Sequence, residues 1–495
     1  MSNRQPAVRP EDAERPFVVA LDVGSSSIRA GLYDRRGRLV EGCLSQVGYA
    51  WEIGPEGSVR LPAAVLLEVA GRALDELATA AGPLAREAVT GGIACFFHSI
   101  VGLDDSGRPL TSILSWADTS SVVEAIELRA TLDPDWTRQR TGAPIHPGYW
   151  PARVLRLRRE KPAIRRWAGF PELLAEFLTG RAVASVSMAS GTGLLDRVPG
   201  DWSAPLLERL ELDPGQLPVL EADDVPIGTT GTRAARRWPA LAHVQWFPAW
   251  GDGACGNVGL GATGPGRAAL MIGTSGALRS IVPESDPFVG PGLFAYRLLA
   301  GTLLGGQLSE GGGTVAWIAG LLRRSPAALE RAATLLEPDG HGLTVLPFVA
   351  GERGLGYHEA ARGVFAGLAS GTDAPSIYRA VLESIAYRFA ALDARLTAAL
   401  PGKPEIVAGG GALTRSSLWA QIVADVLGRD IRLASRLEAS LRGAAILALR
   451  GAGQLREGET PALARSRLIR ADPARAARYQ QGRARQEALY AELLR

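Results

Sequence analysis

The 495-residue chain is too long for one hydrophobic core and predicts two domains of roughly 200–250 residues each. Its composition, 46% hydrophobic and 21% charged, is ordinary for a globular protein, and a net charge of +3 argues against a nucleic-acid or membrane partner. Nearly all of the basic residues are arginine: Lys161 and Lys403 are the two lysines, each followed by proline, and no G-x-x-x-x-G-K-[ST] occurs. Phosphate sites built on a lysine, as in P-loop enzymes and protein kinases, are therefore excluded.

Cys43, Cys95 and Cys255 lie far apart without metal-ligand spacing, which fits a reduced, cytoplasmic protein. Residues 1–15 are polar and lack an apolar core, so they read as a disordered tail and not as a signal peptide. No apolar run approaches the length of a membrane span.

The first structured stretch, FVVALDVGSSSIRAGLYDRRGRLVEG, reads as three strands, with Asp22 and a Gly-Ser turn at the first hairpin. Asp22 is a hard oxygen donor suited to Mg²⁺ or its waters. Ser25, Ser26 and Ser27 offer hydroxyls and amides to terminal phosphates. Residues 62–80 carry a helical pattern, and AVTGGIACFF reads as a buried strand ending at His98-Ser99. A second strand end bears Trp116-Ala117-Asp118. His, Trp and Asp suit the hydroxyls and the carbon-hydrogen face of a sugar, although a core histidine and a core tryptophan would read the same way. The loop TGAPIHP opens a basic amphipathic helix over about 151–160, and ADDVPIGTTG closes the first domain near residue 245.

The second domain opens on FPAWGDGACGNVG, where Asp252 stands between two glycines. Glycines that close let the backbone bend sharply and admit a substrate against it. The formal G-x-G-x-x-G at Gly259–Gly264 lacks a preceding strand and is followed by Pro265, so it is not a dinucleotide site. An apolar strand from Ala268 to Ile272 then runs into Gly273, Thr274 and Ser275, a second turn of small hydroxyl residues. Further on, a strand from Glu405 meets Gly409, Gly410, Gly411 and Ala412 before a helix from about Thr414, a natural shelf for a base and ribose. A lone acid, two phosphate turns and a glycine shelf together suggest phosphoryl transfer from a nucleotide to a hydroxyl. Residues 456–495 read as a helical tail with a structural role.

Taken in order, ALDVGSSSIRAGLYD, HSIVGLDDSGRPLTSILSWAD, TGAPIHP, GDGACGNVG, MIGTSGALR, LPFVAGER, RGVFAGL, GGGALTRSSLWAQIVADVLGRDI and EASLRGAAILAL resemble the FGGY carbohydrate kinases over about 16–495, most of all the gluconokinase branch. The resemblance implies an α/β fold of two actin-like (ribonuclease H-like) ATPase domains around a central cleft, residues 16–245 on the sugar side and 246–455 on the nucleotide side. It also implies ATP and Mg²⁺. By motif position, Asp252 falls on the catalytic base. Asp22, Ser25 and Ser26 fall on the first phosphate motif, and Gly273, Thr274 and Ser275 on the second. Gly410, Gly411 and Ala412 fall on the adenosine motif, and His98, Trp116, Asp118 and His146 on the substrate side. The expected partner is a small sugar or sugar acid, gluconate first, with a homodimer left open.

Departures cluster on the substrate side: Ser120 stands where an arginine is usual, Ser185 replaces an acid, Pro171 a lysine and Ser376 a polar or acidic residue. Xylulose or another ketose or polyol is the alternative acceptor, and a catalytically weak sugar- or nucleotide-binding regulator is the alternative of another class. A carboxylate acceptor also needs donors, and Arg153 and Arg353 are the candidates.

Overall fold

The computed structural model describes residues 7–284, 286–299, 301–435, 438–456, 461 and 466–494. Residues 1–6 of the expected tail lie outside them. Residues 7–15 do not form a tail. Ala7–Val8 pairs in parallel with Leu39–Val40, and Ala13 is buried in the core of the first domain. The local polarity that suggested disorder is accommodated by ion pairs at the rim, such as Arg15 with Glu87.

Two sheets repeat one plan. In the first, Phe17–Val23 and Ser27–Tyr33 form an antiparallel hairpin, Leu39–Gly48 lies outside the second strand, and Ala88–Cys95 pairs in parallel with the first. In the second, Arg267–Ile272 and Gly276–Val282 form the hairpin, Gly301–Leu308 lies outside, and Glu405–Gly409 pairs in parallel with the first strand. Both sheets therefore run third-second-first-fourth strand, and a fifth follows in each: Gln245–Trp246 and Ile431–Ala434. The parallel strands are apolar on both faces and covered by helices, as parallel pairing requires. The result is a mixed α/β protein of two actin-like domains.

The division between the domains falls later than residue 245. Trp250–Gly251 still pairs with Ala94–Cys95 of the first sheet, and the helix Asp252–Gly259 that follows packs on the helix Ala439–Gly451. That late helix belongs to the first domain, since Leu441, Ala444 and Ile446 join its core. The sequence placed this boundary on a polar, proline-bearing stretch, but those residues are edge turns of the first sheet. The two helices approach closely because they are built of small residues. A Cβ on Gly443 would stand 1.8 Å from the carbonyl of Cys255, and one on Gly259 1.8 Å from that of Ala439. This contact accounts for Gly259 without a nucleotide. The long helix Ala374–Ala398 backs the second sheet, and the last helix, Pro473–Leu494, packs across Ser417–Leu427 and Thr344–Leu346. Among the described residues no helix is long and apolar enough to cross a membrane.

Candidate active site

The two hairpins aim at one cavity. It is a solvent-open cleft of about 670 Å³, and Ser25 from the first hairpin and Ser275 from the second both line it, together with His98, Trp116 and Asp252. These five came from distant parts of the sequence, and the shared sheet plan brings them together.

Asp252 begins a short helix directly after a strand of the first sheet, so its carboxylate sits at the positive end of the helix. Its Oδ1 accepts from the N–H of Gly253 at 2.7 Å. The flanking glycines have a steric cause: a Cβ on Gly251 would overlap the ring of Phe97 at 1.8 Å, and one on Gly253 would meet Arg279 Nη1 at 2.4 Å. Burial pushes the Asp252 carboxyl above the usual carboxylate range, against the pull of the Arg279 guanidinium. Asp22 is buried nearby, its Oδ2 accepting from Arg29 Nη1 at 3.2 Å. Burial raises it to about 7, with Arg29 opposing and the negative charges of Asp252 and Glu438 adding to the rise. A buried and a half-buried carboxylate whose charges repel make a place that favours a cation between or beside them.

The phosphate turns differ in reach. Ser25 is half-buried at the cavity and Ser26 is exposed at the hairpin tip, whereas Ser27 is buried and its Oγ accepts from Gln46 Nε2 at 3.2 Å. Ser27 thus belongs to the sheet, since the tight turn already ends at residue 26. Gly273, Thr274 and Ser275 form the second turn, closed by Gly273 N–H to the Ser275 carbonyl at 3.0 Å. Against this turn lie three glycines that sequence reading did not assign, Gly311, Gly312 and Gly313, at the start of the helix Gly312–Leu321. Gly312 donates to the Gly273 carbonyl at 2.8 Å and Gly313 to that of Thr274 at 2.9 Å. Gly410 has φ +94, and a Cβ there would stand 2.5 Å from the carbonyl oxygen of Ile272, so its glycine is required by the approach of two strands. Gly411 is exposed beside it, and Ala412 N–H donates to the Ile272 carbonyl. A Cβ on Gly312 would be 2.7 Å from that of Ala412, so turn, glycines and shelf form one continuous backbone surface.

On the acceptor side, His98 has φ +70, rare for a residue with a side chain and concentrated at functional sites. Its Nδ1 lies 2.5 Å from the carbonyl of Gly191, which fixes the tautomer with Nδ1–H donating. Nε2 is left as an acceptor, and burial drives its pKa well below the ordinary value, so the ring is neutral. Trp116 presents its face to the guanidinium of Arg353, 4.8 Å from the ring centre.

Two expected acceptor contacts are not on the cavity wall. Asp118 is fully buried, and its carboxylate is occupied: Oδ2 accepts from Val59 N–H at 2.8 Å, and Oδ1 from the Ser120 hydroxyl at 2.6 Å. His146 sits one layer back, its ring 5.6 Å from that of Tyr357 and 6.2 Å from that of Tyr149. Arg153, a candidate carboxylate donor, is also structural. Its guanidinium donates to the carbonyls of Pro147, His98, Ser115 and Asp118, knitting the acceptor loops together.

Sequence reading named Arg353 as a candidate carboxylate donor but missed Arg279, its companion on the cavity wall. Arg279 and Arg353 both line the cavity, and neither makes a salt bridge among the described residues; Arg279 Nη1 and Arg353 Nε are buried without a hydrogen-bond partner. The signal for Arg279 was period-two alternation: Ser275, Ala277 and Arg279 share one strand face, and all three line the cavity. Tyr296 and Gln307 arrive from the neighbouring strands, with Tyr149 Oη 2.7 Å from Tyr296 Oη. A separate group whose ligand atoms converge, Asp339, His341 and Glu383, lies elsewhere, and Arg379 and Arg485 pair with its carboxylates.

Residues 17–259 match the N-terminal domain and residues 292–452 the C-terminal domain of the FGGY family of carbohydrate kinases. The chain belongs to that family. As an FGGY carbohydrate kinase it uses ATP. It is 24% identical to a gluconokinase of Bacillus subtilis (strain 168) over 456 residues, 89% of this chain and 88% of that protein. It is 29% identical to a xylulose kinase of Escherichia coli (strain K12) over 348 residues, 69% of this chain and 71% of that one. In fold it is similar to the crystal structure of gluconate kinase from Lactobacillus acidophilus, at a TM-score of 0.88 and 24% identity, covering 96% of this chain and 98% of that one.

Proposed function

We propose that this FGGY kinase phosphorylates a hydroxyl of an acceptor that also carries a carboxylate, gluconate first. The observation that carries the reading is the pair Arg279 and Arg353, two guanidinium groups that make no salt bridge among the described residues and face one cavity with Asp252. Asp252 offsets only part of the charge of the two guanidinium groups, so the cavity is suited to an anionic acceptor. The gluconokinases among its relatives fit this chemistry.

Asp252 is the general base. It takes the proton of the acceptor hydroxyl as that oxygen forms a bond to the transferred phosphorus and the bond to the departing diphosphate breaks. Burial lifts its basicity toward neutrality, where such a group works best. His98, neutral and with Nε2 free to accept, holds a second hydroxyl, and Trp116 covers the carbon-hydrogen face. Ser25, Ser26, Gly273, Thr274 and Ser275 face the phosphates, and Gly411 with Ala412 supports the adenosine. The continuous glycine surface, where Gly312 lets the turn and the shelf meet without a side chain between them, fits a phosphate chain lying on backbone. Asp22 would hold Mg²⁺ directly or through water, and that ion would neutralise charge on the phosphates.

The test is ADP release from the purified chain with gluconate, other aldonates, xylulose, ribulose and glycerol. Gluconate or another aldonate is expected to give the highest kcat/KM. A ketose ahead by tenfold or more would overturn the carboxylate reading and favour the substrate named for the xylulose kinases among its relatives.

A further inference from the structure

The loop that carries Arg353 has little regular structure to hold it. Gly351, Gly354, Leu355 and Tyr357 all have positive φ, and in a residue with a side chain that conformation persists only where its surroundings enforce it. The loop nevertheless reaches the first domain at three points: Arg353 over Trp116, Tyr357 against His146, and Glu359 ion-paired with Arg129.

Its rear is gripped by one carboxylate. Glu352, the neighbour of Arg353, is 1% exposed. Its N–H donates to the His358 carbonyl at 2.9 Å, closing the loop. Its Oε1 accepts from Arg388 Nη2, and its Oε2 accepts from the hydroxyl of Tyr490 at 2.8 Å. Tyr490 comes from the last helix. Gly356 passes so near that a Cβ there would lie 2.0 Å from the Tyr490 hydroxyl. The Arg388 guanidinium is held over both Phe348 and Tyr490, at 5.0 and 4.7 Å from the ring centres.

We propose that Tyr490 is a positioning residue for the acceptor: by donating to Glu352 it fixes the strained loop, and so fixes where Arg353 meets the substrate. Without that hydroxyl, Glu352 Oε2 keeps only the His358 N–H, at 3.5 Å, and Arg388 on Oε1 is left as the main tie opposite the loop's functional end. A displacement of about 1 Å in a charged contact is enough to weaken binding severely. The last helix, outwardly a structural tail, thereby becomes part of the acceptor site at second hand. The inference rests on the reading of Arg353 as an acceptor contact.

The experiment is a double-mutant cycle on the full chain with Tyr490→Phe, Arg353→Ala and the double variant, measuring kcat and both KM values with the preferred acceptor. Tyr490→Phe is expected to raise the acceptor KM roughly tenfold, the effect of one hydrogen bond to a charged group. The KM for ATP should stay close to wild type, while the melting temperature falls modestly because a buried Glu352 oxygen loses its donor. In the Arg353→Ala background the same change should have less than a twofold effect, because contacts that act through one another are not additive. Glu352→Gln, read in the same cycle, replaces Tyr490→Phe should that variant fail to fold. An Arg353→Ala protein with unaltered acceptor KM overturns the acceptor reading itself. A full-sized Tyr490→Phe effect that persists without Arg353, or an unaltered acceptor KM in folded Tyr490→Phe, overturns the positioning role alone.

Discussion

Replacing Asp252 by asparagine isolates proton transfer from shape. The asparagine Oδ1 can keep the 2.7 Å bond from Gly253 N–H, so the side chain should stay in place. Two things are lost: an acceptor for the hydroxyl proton, and the negative charge that faces Arg279. General-base catalysis contributes about 10²–10⁴-fold. At about 1.4 kcal/mol per tenfold, the barrier should rise by about 3–5 kcal/mol. Stability should change little, because burial already disfavours the charge on Asp252 and the amide removes that desolvation cost. The assay is ADP release under saturating acceptor, with ATP affinity measured by titration calorimetry and folding by melting temperature. A folded variant that binds ATP and retains more than a tenth of wild-type turnover would show that Asp252 is not the base.

Three further outcomes follow from other parts of the site. Arg353→Ala should lower kcat/KM for an aldonate at least tenfold while changing that for a ketose less than threefold; equal losses on both would mean that Arg353 does not contact a carboxylate. Gly410→Ala should lower the melting temperature sharply, since its Cβ would strike the Ile272 backbone at φ +94, whereas Gly411→Ala should fold normally, because its Cβ meets only the end of the flexible Arg415 side chain at 3.1 Å. Equal stability of the two in thermal unfolding would contradict that account. Glu310 is buried with neither carboxylate oxygen hydrogen-bonded, and burial raises it to about 8. The folded state therefore holds a proton that the unfolded chain releases above about 4.5, so this group's contribution is full below that pH and is lost as pH rises through 8. Glu310→Gln should accordingly gain stability over wild type in denaturant titrations at pH 8 relative to pH 5, and an unchanged difference would refute the assignment.

Much of the site was legible because phosphate chemistry is local. A turn of glycines and hydroxyl residues at the end of an apolar strand needs only neighbours in sequence, so Ser25, Ser26 and Gly273–Ser275 could be read directly. Asp252 was legible for the same reason, as an acid between glycines, although the cause of those glycines, the Phe97 ring and the Arg279 guanidinium, was not. The acceptor side is assembled from side chains far apart in the chain, and there residue type misleads. Asp118 and Arg153 have the chemistry of ligand contacts, but loop carbonyls and amides claim them first. Arg279 looks no different from dozens of other arginines until the fold places it beside Arg353 on the cavity wall, without a salt bridge among the described residues.

The sequence by itself determined the two-domain α/β class and picked out Asp252 and the two turns of small hydroxyl residues, because strand periodicity and turn chemistry are properties of short segments. Only the tertiary structure decided where the domains divide, since a helix from residues 439–451 returns to complete the first core. Only it showed that Ala7–Val8 joins a sheet edge and that Tyr490 reaches Glu352 across 138 residues of chain. Those contacts depend on which surfaces remain to be covered once the sheets have formed, and no short stretch of sequence carries that information.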